Sequence, residues 1–149
     1  MKKKILRISL VGKTNAGKST LLNNLVGEPI SIVNKKINTT EELIIGILNI
    51  DNCQLVFFDT PGINFNKNQI NPKLKRNLWE GLNNSDLIIY IIDSKKYNFK
   101  EIENNINKIK EVKKEILIVF NKNDLIEKKS ILPKINEINK LLKIQNFFS

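Results

Sequence analysis

The chain has 149 residues, of which 41% are hydrophobic, and a formal net charge of +10 at pH 7. This length favours a single domain with a real hydrophobic core. Histidine is absent, which excludes histidine-based acid–base and zinc chemistry, and the lone Cys53 excludes an internal disulfide framework. A single cysteine is typical of a reducing compartment, so we expect a cytoplasmic location. No apolar run approaches the length of a membrane span.

The positive charge permits an anionic partner such as RNA or an acidic membrane surface. However, nearly all the basic residues are lysines in a chain crowded with Asn and Ile, a bias that AT-rich coding also produces. Arginine, the better reader of phosphates and bases, occurs only at Arg7 and Arg76. We therefore favour a compositional origin of the charge over specific RNA binding by this chain alone.

Hydrophobic periodicity predicts strands that alternate with helices. In the first half of the chain it predicts strand 4–11, helix 19–26 with Gly27 as its stop, and strands 41–50 and 53–59 joined by a tight turn at 51–52. In the second half it predicts helix 73–84, strand 86–93, a helix around 102–109, strand 115–121, a helix from about 130 to 142 and an incomplete strand at 146–149. Such alternation implies an α/β fold: a mostly parallel six-stranded sheet with one antiparallel edge strand and helices on both faces.

The last predicted helix has a core-facing side and a start signal of its own. Its start is placed at Ser130, a plausible N-cap, and Pro133 falls in the first turn, where proline is tolerated. The side expected to face the core carries Leu132, Ile135, Ile138 and Leu142.

The segment GKTNAGKST lies between the first strand and the first helix. Its Gly12, Gly17, Lys18 and Ser19 fit G-x-x-x-x-G-K-[ST], a phosphate-binding loop when it joins a strand to a helix. Backbone N–H groups and the positive helix end would hold phosphate oxygens, Lys18 would reach the β- and γ-phosphates, and the Ser19 hydroxyl would bind Mg²⁺. An ordinary βα turn is the disfavoured alternative. The predicted nucleotide contacts in this loop are Asn15, Ala16, Gly17, Lys18, Ser19 and Thr20.

The sequence DTPG, from Asp59 to Gly62, follows the buried strand LVFF. An aspartate in that place can help to hold Mg²⁺, and Gly62 can present its backbone N–H to the γ-phosphate. A plain turn is the alternative, which the phosphate loop upstream makes less favoured.

The sequence NKND, from Asn121 to Asp124, comes directly after EILIVF, at the end of a predicted strand. The Asp124 carboxylate can accept from guanine N1–H and N2–H₂ together, a donor pair that adenine lacks, so such a site can reject adenine by roughly 10⁴–10⁵-fold. Lys122 can lay its aliphatic stem over the base plane, and Asn121 can connect this loop to the phosphate loop. The alternative is a solvated turn. This motif also disfavours a P-loop kinase or ATPase.

These three motifs occur in the order found in translation-factor-like GTPases. The segments TNAGKSTLLNNLVGE, SIVNKKINTTEELIIGI and VFFDTPGI closely resemble the Era-type GTPases of the TrmE-Era-EngA-like family, which are bacterial ribosome-assembly factors, and the resemblance covers essentially the whole chain. It implies a P-loop GTPase fold, hydrolysis of GTP to GDP and phosphate with Mg²⁺, and partnership with the small ribosomal subunit and its rRNA. It also allows peripheral membrane association, and it implies a monomer.

The same resemblance assigns roles to further residues. Thr40 matches the switch I threonine, whose hydroxyl completes the Mg²⁺ shell and whose carbonyl orients the attacking water, so the implied catalytic residues are Lys18, Thr40 and Gly62. Residues 61 to about 80 would form switch II. Ile63 stands where Ras-like proteins carry a water-orienting glutamine, which implies slow intrinsic hydrolysis.

A potassium site is also implied by the resemblance. Asn15 matches an asparagine that binds K⁺ in related GTPases, and the backbone carbonyls of Asn34 and Lys36 are the expected additional ligands. The chain departs from the family at Lys13 and Thr14, where Arg and Pro are usual, and at Glu41, where Arg is usual. The reversal of charge at Glu41 bears on switch I contacts rather than on nucleotide binding.

The family pattern continues after NKND with one more strand, a guanine-contacting SA loop and an RNA-binding KH domain. We therefore expect residues 1–149 to be an Era-type G domain that is incomplete at its C-terminus, and to bind GTP more weakly than a longer form containing that loop. The alternative function is a non-catalytic nucleotide-binding remnant without an RNA-binding output.

Overall fold

The computed structural model describes residues 4–27, 44–60, 62–63, 72–142 and 147–148, and predictions for the other residues lie outside it. The helices and strands in chain order are β1 (Lys4–Gly12), α1 (Lys18–Val26), β2 (Ile44–Ile50), β3 (Cys53–Asp59), α2 (Pro72–Asn84), β4 (Leu87–Asp93), α3 (Phe99–Ile109), β5 (Glu115–Asn121), α4 (Ile131–Leu142) and β6 (Phe147–Phe148). This order confirms the predicted alternation. None of these helices combines the length and the apolar character that a membrane crossing requires.

The strands form one six-stranded sheet in the order β2-β3-β1-β4-β5-β6. β2 is antiparallel to β3, and every other neighbouring pair is parallel, so the predicted sheet with one antiparallel edge is confirmed. β1 therefore lies between β3 and β4. The carboxyl ends of β1, β3, β4 and β5 all meet at the same edge of the sheet, where ligands bind in folds of this kind.

Helices cover both faces of the sheet. One core combines side chains of β4 and β5 with those of α2, α3 and α4, and the other combines side chains of β1 with Leu22 of α1 and Phe57 of β3. Alternate residues of β4 enter the two cores, so this strand is buried on both faces. On β5 the buried side chains alternate with half-buried ones, because only one of its faces is fully covered.

The predicted core-facing side of the last helix is partly wrong. Ile138 is fully buried, but Leu132 is 67% exposed. At 3.6 residues per turn, these two positions lie about 120° apart around the helix, so a core contact narrower than this angle reaches only one of them. Ser130 does precede α4, but its hydroxyl donates to the carbonyl of Glu127 at 2.8 Å and closes the preceding 3₁₀ turn.

Candidate nucleotide-binding site

The phosphate loop is shaped by two close backbone approaches. A Cβ on Gly12 would overlap the carbonyl oxygen of Ile91 on β4, so only glycine lets β1 end this close to its neighbour. Gly17 has a φ of 100°, which favours glycine, and a Cβ there would overlap the side-chain amide of Asn121. Gly12 therefore lets the end of β1 lie against β4, and Gly17 lets the start of α1 lie against the end of β5.

The lysine of the phosphate loop folds back over the loop that carries it. Lys18 is only 7% exposed, and its ammonium donates to the carbonyl oxygens of Gly12 at 3.3 Å and Lys13 at 3.1 Å. Ser19 and Thr20 follow in the first turn of α1 and are exposed. This places a cation and the N-terminal N–H groups of a helix on one concave backbone surface, which is the arrangement that binds phosphate.

The predicted connection between NKND and the phosphate loop is confirmed. The Asn121 side-chain amide donates to the carbonyl of Ala16 at 2.9 Å, and the Lys122 ammonium donates to the carbonyl of Asn15 at 2.6 Å. Lys122 itself has a left-handed backbone with a φ of 62°. Asn121 is the last residue of β5 and Lys122 follows it directly. These two neighbours therefore hold two residues of the phosphate loop that lie more than a hundred positions away in the sequence.

The loop that follows is fixed by a residue that the motif leaves unspecified. The Asn123 side chain donates to the carbonyl of Phe120 at 3.0 Å and accepts from the buried Ser94 hydroxyl at 2.6 Å. Asp124 is exposed, and within the described part of the chain its carboxylate has no hydrogen-bond or ion-pair partner. The Asp124 carboxylate, which the sequence predicts to contact guanine, is thus presented to solvent from a turn that Asn123 fixes.

Asp93, the last residue of β4, is a site residue that no sequence motif indicates. Its carboxylate accepts from the Lys122 ammonium at 2.8 Å and is 7% exposed. Burial alone would raise the pKa of Asp93, but the bond and the charge of Lys122, with the N–H groups of Lys96 and Lys95, bring that pKa below its usual value. The available signal was position: a carboxylate at the carboxyl end of a buried parallel strand, on the same edge as the motifs.

The DTPG segment also lies against the phosphate loop. Gly62 packs so closely on Thr14 that a Cβ would overlap it, and the N–H of Ile63 donates to the carbonyl of Gly12 at 3.0 Å. Ile63 is 2% exposed and belongs to the core. Thr60, which the sequence reasoning missed, is buried and donates through its hydroxyl to the carbonyl of Leu10 at 2.7 Å. The residues that directly follow β3 are therefore held to β1 by hydrogen bonds to its backbone carbonyls.

The predicted Mg²⁺ ligands are only partly within the described structure. Ser19 follows Lys18 at the start of α1, and the backbone of Asp59 ends β3 beside β1. The Asp59 side chain and Thr40 lie outside the described residues. Asn34 and Lys36, the expected additional K⁺ ligands, also lie outside them. Among the described residues no three acidic or cysteine side chains gather into a metal-binding group. A hydroxyl and a carboxylate fit Mg²⁺ that takes its remaining ligands from water and nucleotide phosphates.

Comparisons with known proteins agree with this geometry. A family model described as 50S ribosome-binding GTPase matches residues 7–122. GTPase Era of Buchnera aphidicola subsp. Acyrthosiphon pisum is 46% identical over 135 residues, which are 89% of this chain and 47% of that protein. GTPase Era of Sinorhizobium medicae is 35% identical over 141 residues, which are 95% of this chain and 46% of that protein. The chain thus spans about half the length of these curated relatives.

Two solved structures resemble the chain closely. A variant of Aquifex aeolicus Era bound to GDP and AlF₄⁻ superposes with a TM-score of 0.79 at 35% identity, over 97% of this chain and 50% of the other. Era in complex with MgGDPNP and nucleotides 1506–1542 of 16S ribosomal RNA superposes with a TM-score of 0.77 at 36% identity, over the same shares. With residues 7–122 matched by the family model, the chain belongs to the 50S ribosome-binding GTPase family, and within it the chain is similar to the Era GTPases.

Proposed function

We propose that this chain binds GTP and GDP with Mg²⁺ and hydrolyses GTP to GDP and phosphate. The observation that carries the proposal is the pair of hydrogen bonds from Asn121 and Lys122 to the carbonyls of Ala16 and Asn15. These bonds join a loop suited to guanine directly to a loop suited to phosphate. A nucleotide can therefore be bound at both ends by one rigid surface.

Guanine selectivity would come from Asp124. Its exposed carboxylate can accept from both N1–H and N2–H₂ of guanine, and it is repelled by the acceptor that adenine presents at N1. The ammonium of Lys122 is held at Asn15, so the aliphatic stem of Lys122 is held near the same place and can cover one face of the base.

Hydrolysis would depend on positioning and on neutralising charge. Lys18 and the N–H groups at the start of α1 would bind the phosphate oxygens, the Gly62 N–H would contact the γ-phosphate, and Thr40 would orient the attacking water. Mg²⁺, held by Ser19, Thr40 and Asp59, would neutralise charge on the β- and γ-phosphates when bound. K⁺ at Asn15 would add further positive charge.

Turnover by the chain alone should be slow. Ile63 is buried in the core and its side chain has no polar atom, so it cannot orient the water. This same observation favours a second candidate, a nucleotide-binding module without catalysis. The two differ in one measurable outcome, because a slow GTPase releases phosphate from bound GTP in a single turnover and the binding module does not.

We further propose that the protein serves as a cytoplasmic, monomeric switch in ribosome assembly. The support is the likeness to an Era whose solved complex contains MgGDPNP and a segment of 16S ribosomal RNA. The partners would be the small ribosomal subunit and its rRNA, with peripheral membrane association as a further expectation. Because the chain spans about half of its relatives, RNA binding is a property to be tested on this chain itself.

The test of the nucleotide proposal is a competition experiment on the full chain. With fluorescent GDP and Mg²⁺, unlabelled GTP should displace the probe, and ATP at a hundredfold higher concentration should not. Phosphate release should then be followed in a single turnover, with Lys18→Ala as the inactive control. Equal displacement by ATP would refute guanine specificity, and GTP that stays intact would favour the binding module.

A further inference from the structure

The segment between β4 and α3 belongs to none of the nucleotide motifs, yet it contacts the lysine of one of them. The Asp93 carboxylate, at the end of β4, accepts from the Lys122 ammonium at 2.8 Å. The same ammonium donates to the carbonyl of Asn15 at 2.6 Å. One cation therefore connects the end of β4 with the NKND loop and with the phosphate loop.

Asp93 is a rigid partner rather than a mobile surface carboxylate. Its second oxygen accepts from the backbone N–H of Lys95 at 3.0 Å and of Lys96 at 3.2 Å, which caps the short 3₁₀ turn Ser94–Lys96. The side chain is 7% exposed, whereas that of Lys122 is 30% exposed. The carboxylate cannot rotate without losing these two bonds, so the position of the lysine follows from the position of the strand end.

The turn that carries Asp93 is itself braced from two sides. The Ser94 hydroxyl donates to the side chain of Asn123 at 2.6 Å, and the carbonyl of Ser94 accepts from the Lys134 ammonium of α4 at 2.8 Å. The contacts from β4 to the NKND loop thus occur at both Lys122 and Asn123. The part-buried, charge-assisted bond between Asp93 and Lys122 is expected to be stronger than a fully exposed ion pair.

We propose that Asp93 is a positioning residue for the guanine nucleotide: it holds Lys122 in the one place from which this lysine both reaches the phosphate loop and lies along the base. The inference rests on the proposed nucleotide binding. Without the carboxylate, the Lys122 ammonium returns to solvent more often, the bond to Asn15 opens, and the two loops lose their fixed separation. A purely structural ion pair would stabilise the fold without affecting the nucleotide through Lys122.

The first experiment compares two Asp→Asn variants at opposite ends of the same strand, β4. Asp93→Asn keeps the shape of the side chain and removes its charge. Asp86→Asn is the matched control, because Asp86 precedes β4 at its opposite end, is exposed, and accepts a hydrogen bond from the Arg7 N–H at 2.8 Å. Titration with GDP and Mg²⁺ should show about tenfold weaker binding for Asp93→Asn, and a change below about twofold for Asp86→Asn. Wild-type affinity in Asp93→Asn would overturn the proposal.

A double-mutant cycle separates positioning from general stability. If Asp93 acts through Lys122, then adding Asp93→Asn to Lys122→Met should weaken GDP binding by no more than about twofold beyond Lys122→Met alone. If the same tenfold loss appears in both backgrounds, Asp93 does not act through Lys122 and the proposal fails.

Measuring backbone amide hydrogen exchange on the nucleotide-free chain tests the role of Asp93 independently of GDP binding. Asp93→Asn should speed exchange of the backbone amides in residues 15–17 and 121–125, and Asp86→Asn should leave them unchanged. Unchanged exchange in Asp93→Asn would overturn the inference whatever the nucleotide data show. A wild-type chain that fails to bind GDP would instead refute the proposed function, while the exchange experiment still decides whether Asp93 holds the two loops.

Discussion

Replacing Gly17 with alanine should uncouple the phosphate loop from the NKND loop. Gly17 precedes α1 with a φ of 100°, where an alanine costs about 1–2 kcal/mol. The new Cβ would also overlap the Asn121 amide, which donates to Ala16 at 2.9 Å, and losing that bond costs about 0.5–1.5 kcal/mol more. The total of about 1.5–3.5 kcal/mol corresponds to a loss of roughly 10- to 300-fold if all of it appears in nucleotide affinity.

The other end of the same helix supplies a matched control. Gly27 ends α1 with a φ of 75°, and a Cβ there would meet no atom within 4 Å. Gly27→Ala should therefore lower the free energy of unfolding by about 1–2 kcal/mol from backbone strain alone and leave GDP affinity nearly unchanged. Calorimetric titration with GDP and urea unfolding of both variants is the measurement. If Gly17→Ala binds GDP as tightly as Gly27→Ala does, the overlap with Asn121 is not what makes glycine necessary.

Three further outcomes are expected. Asp124→Asn should weaken GTP binding and shift preference towards xanthine nucleotides, because the amide offers a donor where xanthine has a carbonyl; unchanged GTP affinity in a competition assay would argue against the guanine assignment. Single-turnover hydrolysis should be faster in potassium than in sodium if Asn15 binds K⁺, and equal rates would contradict that site. Burial, partly offset by the hydrogen bond from Asn105, raises the pKa of Tyr90 from 10.0 to about 12. The stability that the folded chain gains from this shift is therefore complete below pH 10 and is lost as the pH rises through 12. Between pH 8 and pH 11, the unfolding free energy of the wild type should therefore fall by about 1 kcal/mol more than that of Tyr90→Phe. Urea unfolding at both pH values measures this difference, and an equal fall in the two proteins would contradict the prediction.

The order of elements and the place of the site follow from local patterns. Continuous apolar runs predicted β4 and β5, and the glycine loop predicted the β1–α1 junction to within one residue. The motif residues Gly12, Asp59 and Asn121 each end a strand, and parallel strands bring such ends to one edge. Their proximity could therefore be predicted without coordinates, and so could the bond from Asn121 to the phosphate loop.

The contacts that support the site could not be predicted in this way. Asp93 and Ser94 belong to no motif, and their partners Lys122 and Asn123 lie 29 residues away. Many acidic and hydroxyl side chains follow strands, so position alone does not identify the pair that will be buried. The error at Leu132 has a similar cause, because a helical repeat shows which residues share a side but not how wide the core contact will be.

The distribution of charge around the site bears on what the strong positive charge of the chain does. Three lysines of the described part of the chain contact the phosphate loop and have fixed partners: Lys13 pairs with Glu101 at 2.7 Å, Lys122 pairs with Asp93, and Lys18 donates to backbone carbonyls. Two of these cations are therefore compensated by carboxylates before any nucleotide arrives. Net attraction for triphosphate must come mainly from Lys18, the N-terminal N–H groups of α1 and the metal ion, all of which act at short range. Most basic residues of the chain lie outside the three nucleotide motifs in the sequence. Positive charge of that kind can raise the affinity for a polyanion such as RNA without selecting the nucleotide.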